Sequence, residues 1–304
     1  MELRHIRYFL AIAEEKNFTR AALKLNIAQP PLSQQIKDLE YELGTPLFHR
    51  TPHGAELTDA GKVFLEAVKT LPSQLRQAKD AVQRAAKGET GKLRLGVTGT
   101  AALHPAIPAV IRQFRRRYPD VELTIEEANS LALADGMLSD RLDAAILRPS
   151  DPDPKTLTIE HFLTEQLVIA LPSAHPLARE GNALNMLALQ HEPFIMTPRS
   201  LAVSLHDAVV AVCHAAGFEP IEGQPAPQIA SILSMVSAEL GISLVPESMR
   251  QLSVKGVVFR TINDTASQVE LAVAYPTKHP SQPALNFAAV VRQQKQAREA
   301  LMGE

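Results

Sequence analysis

This 304-residue chain has little of what several chemistries require. It has one cysteine, Cys213, which excludes an intrachain disulfide and any CxxC zinc or redox site and fits a reducing compartment. It has no excess of either charge. Lys and Arg number 31 and Asp and Glu 33, a formal net charge of −2 that argues against an indiscriminate polyanion binder. No stretch approaches the roughly 18 consecutive apolar residues of a membrane span, so no membrane partner is expected. The opening segment MELRHIRYFLAIAEEKNF is broken by Glu2, Arg4, His5, Arg7, Glu14 and Glu15 and lacks the apolar stretch of an export signal, so a cytoplasmic protein is expected. GxSxG, GxxxxGK[ST], HExxH and a GxGxxG after the first strand are all missing, which leaves an α/β enzyme as the weaker alternative. Cys213-His214 lies within an apolar helical pattern and reads as a buried structural pair rather than a catalytic dyad. His206 and His214 lack a third ligand and make no metal site. No catalytic residue, cofactor or metal is therefore expected.

Apolar residues make up 45% of the chain and charged residues 21%, ordinary values for a globular protein, and the length suggests two or three domains. In residues 1–57, Leu3, Ile6, Phe9, Leu10 and Ala13 recur at helical spacing as one buried face. Thr19 stands where an N-cap belongs, with Phe18 placed to staple the helix entry. Asn26 suits the left-handed turn that follows, and Pro30 and Pro31 suit the first turn of the next helix. Leu32, Ile36, Leu39 and Leu43 give that helix its buried stripe, and Gly44 ends it. Two short helices around a tight turn read as a helix-turn-helix whose outer face carries Gln29, Ser33, Gln34 and Lys37, groups able to reach base edges and phosphates. Leu47-Phe48 and Ala55–Leu57 flank a Pro52-His53-Gly54 turn, which reads as a β-wing with Arg50 and His53 near its tip. A plain helical hairpin with a solvated face is the alternative.

Residues 58–88 form one amphipathic run. Phe64, Leu71, Ala78 and Ala85 repeat every seven residues, interleaved with Val68, Leu75 and Val82, an a/d seam for pairing two helices. A helix that packs on its own domain is the alternative. Thr58 is the N-cap candidate, Gly88 closes the run, and Pro72 should bend it.

FTRAALKLNIAQPPLSQQIKDLEYELGTPLFHRT followed by LTDAGKVFLE resembles the winged helix-turn-helix signature of the LysR-type transcriptional regulators. Ala28-Gln29-Pro30-Pro31 is similar to the subgroup controlling aromatic-compound catabolism. Gln34 departs from the family pattern, where a basic residue is common. The resemblance implies a double-stranded DNA operator, with Gln29, Pro30 and Ser33 facing bases and Thr19, Arg20, Lys37 and Arg50 holding phosphates or a groove. It implies a homodimer through residues 58–88, assembly to a homotetramer, and RNA polymerase contact.

Beyond residue 91, strands alternate with helices, which argues a parallel-type α/β architecture. Strands are expected at 92–97, 121–126, 143–147, 167–171, 194–197, 242–245 and 269–274. Helices are expected from Thr98 to Tyr118 and over about 131–141, 201–216, 229–240 and 284–301. The fold class expected overall is α/β: a winged helix-turn-helix, residues 1–57; a long coiled-coil linker helix, residues 58–88; and two Rossmann-like lobes. By the resemblance these lobes are laid out like a periplasmic solute-binding protein. Lobe I takes residues 91–163 plus 267–304, lobe II takes 164–266, and the crossings fall near 162–165 and 264–268.

A ligand in such a layout sits at the carboxyl ends of the strands. Thr98, Gly99 and Thr100 combine a strand end with a helix start, Asn129 and Ser130 follow the next strand, and Thr197, Ser200 and Ser204 surround another helix start. Hydroxyls with few charges suit a small organic acid, aromatic acids included, between apolar walls of Leu103, Val203 and Leu205. Ordinary helix capping is the competing explanation. Arg148 reads equally as a carboxylate partner or a surface ion pair, and Glu239 as an exposed helix residue or a change in hinge-side packing. The reading is a ligand-responsive transcriptional regulator, activator or repressor; a constitutive DNA-binding regulator without effector is the alternative.

Overall fold

The computed structural model describes residues 1–51, 54–150, 154–179, 183–263 and 267–302, which form two compact units, Met1–Gln83 and Arg84–Glu304. Among the described residues no helix is long and apolar enough to cross a membrane.

The first unit runs α1 (Leu3–Glu15), α2 (Phe18–Lys24), α3 (Gln29–Leu43), β1 (Phe48–Thr51), β2 (Gly54–Leu57), α4 (Asp59–Val68) and α5 (Leu71–Ala86), whose end passes into the second unit. Its core gathers Ile6, Phe9, Ile12, Ala21, Ala22, Leu32, Ile36, Leu39 and Leu47, with Phe9 packed edge-on to Phe64 and tilted against Phe48. The buried face of α1 is rotated from expectation: Ala11 and Ile12 are inside, whereas Leu3 is 57% exposed. The cap of α2 is also corrected. Asn17, not Thr19, accepts the free amides of Thr19 and Arg20, and Phe18 is itself the first, buried residue of the helix. Asn26 (φ 58°) and Gly44 (φ 70°) make the left-handed turns that end α2 and α3.

The wing is an antiparallel pair running from Phe48↔Leu57 to Thr51↔Gly54. Gly54 (φ 143°) is required there, because a Cβ would stand 2.2 Å from the Lys16 carbonyl, while Ala55 donates to the same oxygen at 2.9 Å. Thr58 caps α4 through Gly61. Pro72 does more than bend the 58–88 run. It stands in the first turn of a new helix, and Lys69-Thr70 separate α4 from α5. The seam divides accordingly. Phe64, Val68 and Leu71 pack on the unit's own core, whereas Leu75 and Val82 are 47% and 70% exposed on an α5 with no buried residue.

The second unit continues with β3 (Thr90–Val97), α6 (Gly99–Ala102), α7 (Ala106–Arg117), β4 (Asp120–Glu127), α8 (Ser130–Leu138), β5 (Ala144–Leu147), β6 (Leu157–Pro172), β7 (Pro193–Phe194), α9 (Val203–Ala215), β8 (Ile221–Glu222), α10 (Ile229–Ser237), β9 (Ser243–Pro246), β10 (Val257–Arg260), β11 (Gln268–Pro276) and α11 (Gln282–Met302). The expected helix from Thr98 to Tyr118 is broken at Leu103–Pro105 into α6 and α7. The sheet is mixed rather than parallel. β3 lies parallel to β4 and β5, but β11 runs antiparallel to β5 and β6.

The long strand β6 joins two lobes. Leu157–Gln166 pairs with β11 in the first lobe, and Leu167–Pro172 pairs with β9 and β10 in the second. Each lobe buries its own apolar layers. Phe114, Phe287 and Val273 anchor the first; Phe194, Leu205, Val212 and Leu244 anchor the second. Cys213 is fully buried there, and burial pushes its thiol up to about 12, so it is inert at neutral pH.

Candidate functional site

The outer face of α3 exposes Gln29, Pro30, Gln34 and Lys37, with Ser33 half-buried between them. The α2 and α3 starts are tied together where the Thr19 hydroxyl donates to Gln29 Oε1 at 3.1 Å, leaving the Gln29 amide N–H groups outward. Gln34 donates to Asp38 at 2.8 Å, so its carboxamide is partly occupied and stands beside an acid. Arg20 reaches back to the Glu15 carbonyl, and Arg50 lies over the Phe18 ring at 4.7 Å, which orients the wing cation. His53, the other expected wing-tip group, lies outside the described residues.

In the second unit a cavity of about 390 Å³ opens between the lobes, large enough for a small molecule. Thr98, Gly99, Thr100, Ser130, Arg148, Thr197 and Ser204 of the expected set line it. Ser200 does not; it lies in an exposed turn before α9. The walls differ too. Leu205 is present with Leu201 and Ala202, but Leu103 packs into the second lobe's core and Val203 is not in the lining.

Four helix starts meet at this cavity, those of α6, α8, α9 and α10. Asn129 caps α8 through Ala132, but neither Ala202 before α9 nor Gln228 before α10 gives a side-chain cap. Two helix ends of the second lobe therefore present uncapped positive dipole ends toward the lining. Thr98 is 6% exposed, and its hydroxyl has no hydrogen-bond partner among the described residues. An orphaned buried hydroxyl beside a cavity is a group waiting for a ligand or water.

Arg148 is neither an open carboxylate partner nor a surface pair. It pairs with Glu165 at 3.0 Å, each side chain 4% exposed. Its Nε donates to the Thr100 hydroxyl at 3.1 Å, and Glu165 accepts the Ser248 amide at 2.6 Å. Thr100 and Arg148 belong to the first lobe, Glu165 to the connecting strand and Ser248 to the second lobe. Burial draws the Arg148 guanidinium below its ordinary value, and the Glu165 charge and hydrogen bond oppose that. His104, beside the pair, is held below the usual histidine range by burial first, with Arg298 and Arg148 adding and Glu165 opposing. Glu127, also in the lining, and Glu165 were not among the expected site residues. Glu239, left open by its sequence context, is exposed in the left-handed turn after α10 (φ 60°). His206 donates to the Thr197 carbonyl at 3.1 Å; His214 is exposed and faces Glu219 at 2.8 Å, so of the expected buried pair only Cys213 is buried.

The Thr98 hydroxyl separates ligand binding from stability. Thr98→Val removes no protein hydrogen bond, so the ligand-free chain should be unchanged or stabilised by up to about 1 kcal/mol. The melting shift produced by a cleft ligand should shrink or vanish. Calorimetric melting with and without ligand checks both.

A winged helix-turn-helix unit together with a two-lobed α/β unit holding a cleft defines a transcriptional regulator with a sensing part. Residues 3–62 match the bacterial regulatory helix-turn-helix protein, lysR family, and residues 86–296 match the LysR substrate binding domain. The HTH-type transcriptional regulator BudR of Raoultella terrigena is 38% identical over 275 residues, covering 90% of this chain and 94% of that one. The crystal structure of CbnR, a LysR family transcriptional regulator, superposes with a TM-score of 0.80 at 26% identity, covering 96% of this chain and all 100% of that one. Full-length CbnR complexed with its target DNA gives 0.78 at 25% identity, covering 97% and 100%. The chain belongs to the LysR family of DNA-binding transcriptional regulators; it is not an enzyme.

Proposed function

We propose that a small organic acid, bound between the lobes, controls how this regulator sits on its operator. The observation that carries the reading is the cleft: two uncapped helix starts and an unpartnered buried Thr98 hydroxyl around about 390 Å³. Those groups favour an anion held by neutral donors. The Thr100–Arg148–Glu165–Ser248 chain then offers a route from ligand to lobe orientation, because its links belong to both lobes and the strand between them. The ligand must favour one lobe arrangement over another, since equal binding to both would switch nothing.

The organisation proposed is a DNA-reading head over residues 1–57, a pairing segment over 58–88, lobe I over 91–163 plus 267–304, and lobe II over 164–266. Two chains pair through the exposed part of the α5 seam, and dimers assemble to a tetramer in the cytoplasm. The tetramer and RNA polymerase contact rest on family membership. Gln29, Pro30 and Ser33 read bases, while Thr19, Arg20, Lys37, Arg50 and His53 contact phosphate or groove. Gln29→Ala or Ser33→Ala should weaken operator binding by roughly 1–3 kcal/mol at fixed salt, with no fall in melting temperature. Fluorescence anisotropy on operator and scrambled duplexes tests this; equal affinity of variant and parent would remove these residues from the reading face.

A further inference from the structure

Two charged side chains line the cleft, Glu127 and Arg148. Arg148 is neutralised by Glu165, so the cleft's unbalanced charge is the carboxylate of Glu127. Glu127 ends β4, is exposed at the rim, and makes no side-chain hydrogen bond or ion pair among the described residues. Gly99 allows the approach: a Cβ there would stand 2.7 Å from Glu127 Oε1, so the carboxylate lies against the turn that opens α6. An anion approaching the first-lobe side therefore meets the protein's own negative charge. On the second-lobe side, α9 and α10, 13 and 9 residues long, begin without side-chain caps. The two sides of the cleft therefore differ in charge: at the first-lobe helix starts Asn129 caps α8 and the Glu127 carboxylate stands against the four-residue α6, whereas the second-lobe starts of α9 and α10 have neither a side-chain cap nor a facing carboxylate in the lining.

We infer that Glu127 sets the charge class of the ligand. The cleft takes a monocarboxylate whose far end donates a hydrogen bond, with the acid end toward α9 and α10 and the donor end on Glu127. A second carboxylate in place of the donor meets Glu127 directly, and dicarboxylates are rejected. This is selection by an introduced repulsion as well as by attraction. The inference rests on reading the cleft as an organic-acid site.

The test is calorimetric titration of the full chain and of Glu127→Gln at low ionic strength, where an exposed charge is least screened. Two matched pairs serve as probes, 4-hydroxybutyrate with succinate and 4-hydroxybenzoate with terephthalate, each differing only in the far group. The native chain should bind the hydroxy acid of at least one pair roughly tenfold or more tighter than its diacid partner. In Glu127→Gln, which keeps shape and loses charge, that ratio should fall to within about threefold, mainly through gain of the diacid. Acids that bind with the same ratio in both proteins, or a native preference for the diacid, would overturn the role of Glu127 while leaving the acid site standing. No binding of any probe to either protein would overturn the acid site and the inference with it.

Discussion

Arg148→Ala should destabilise the Arg84–Glu304 unit by about 3–5 kcal/mol, lowering its calorimetric transition by roughly 6–20 °C while the transition of the first unit stays in place. The cause is the carboxylate left behind. Glu165 is 4% exposed on its side chain and would lose its partner at 3.0 Å, keeping only the Ser248 amide. Arg148→Met combined with Glu165→Leu removes both charges and should recover much of the loss, although the Ser248 amide then lacks its acceptor. A single substitution that melts with the native chain would show that the pair is not held as tightly as its burial states.

The second large effect is on assembly. Leu75→Glu with Val82→Glu should leave each chain folded, because α5 has no buried residue and both sites are exposed. It should drive the protein toward the monomer and weaken operator binding by roughly 10²–10⁴-fold, since two linked heads bind as one body. Leu3, 57% exposed, lies with Leu71 and Leu75 along an open groove of about 380 Å³ in the same unit, so the apolar surface extends beyond the helix. Sedimentation velocity and operator titration on the same samples check the two halves. An unchanged mass distribution would place the pairing surface elsewhere.

The helix-turn-helix was legible because local rules agree there. Left-handed Asn26, Pro30 and Pro31 in a first turn, and Gly44 after the last apolar residue each allow few conformations. Thr19 was a misreading of a local rule: Asn17, two residues earlier, is also a good cap, and only the path of the chain decides between them. The seam was visible as a period of seven, but periodicity does not say which partner covers it. Pro72 divided it, giving Phe64 and Val68 to the unit's own core.

The cleft was half legible. Hydroxyls after strand ends locate a site in an α/β fold, and Thr98, Thr100, Ser130, Thr197 and Ser204 are in the lining. The charges were harder. Only the second half of β6 was expected, because Glu160, His161, Thr164 and Glu165 interrupt its apolar run where the strand passes from one sheet to the other. A signal was nevertheless present. Leu163, Glu165 and Leu167 alternate onto one face, which places an acid among buried residues and demands a cation. Arg148 directly follows four buried residues, Ala144–Leu147, and supplies it. No local pattern marks Glu127; its importance depends on Gly99, 28 positions earlier and close only in the folded chain.

Near-neutral charge also takes on a different meaning at this scale. Residues 1–55 hold seven basic and six acidic residues, so operator affinity must come from a few placed contacts on a paired scaffold rather than from bulk attraction. A shallow dependence of operator affinity on salt is the corresponding expectation.

That a small acid in the cleft changes how the protein lies on DNA is the proposal from which the rest follows. Its most direct test is a nuclease footprint on the operator, at saturating protein, with and without an acid shown by calorimetry to bind the full chain. The expected result is a changed pattern of protection, with altered spacing or new hypersensitive positions between half-sites, and loss of that change in Thr98→Val. Identical footprints at saturating acid would contradict it.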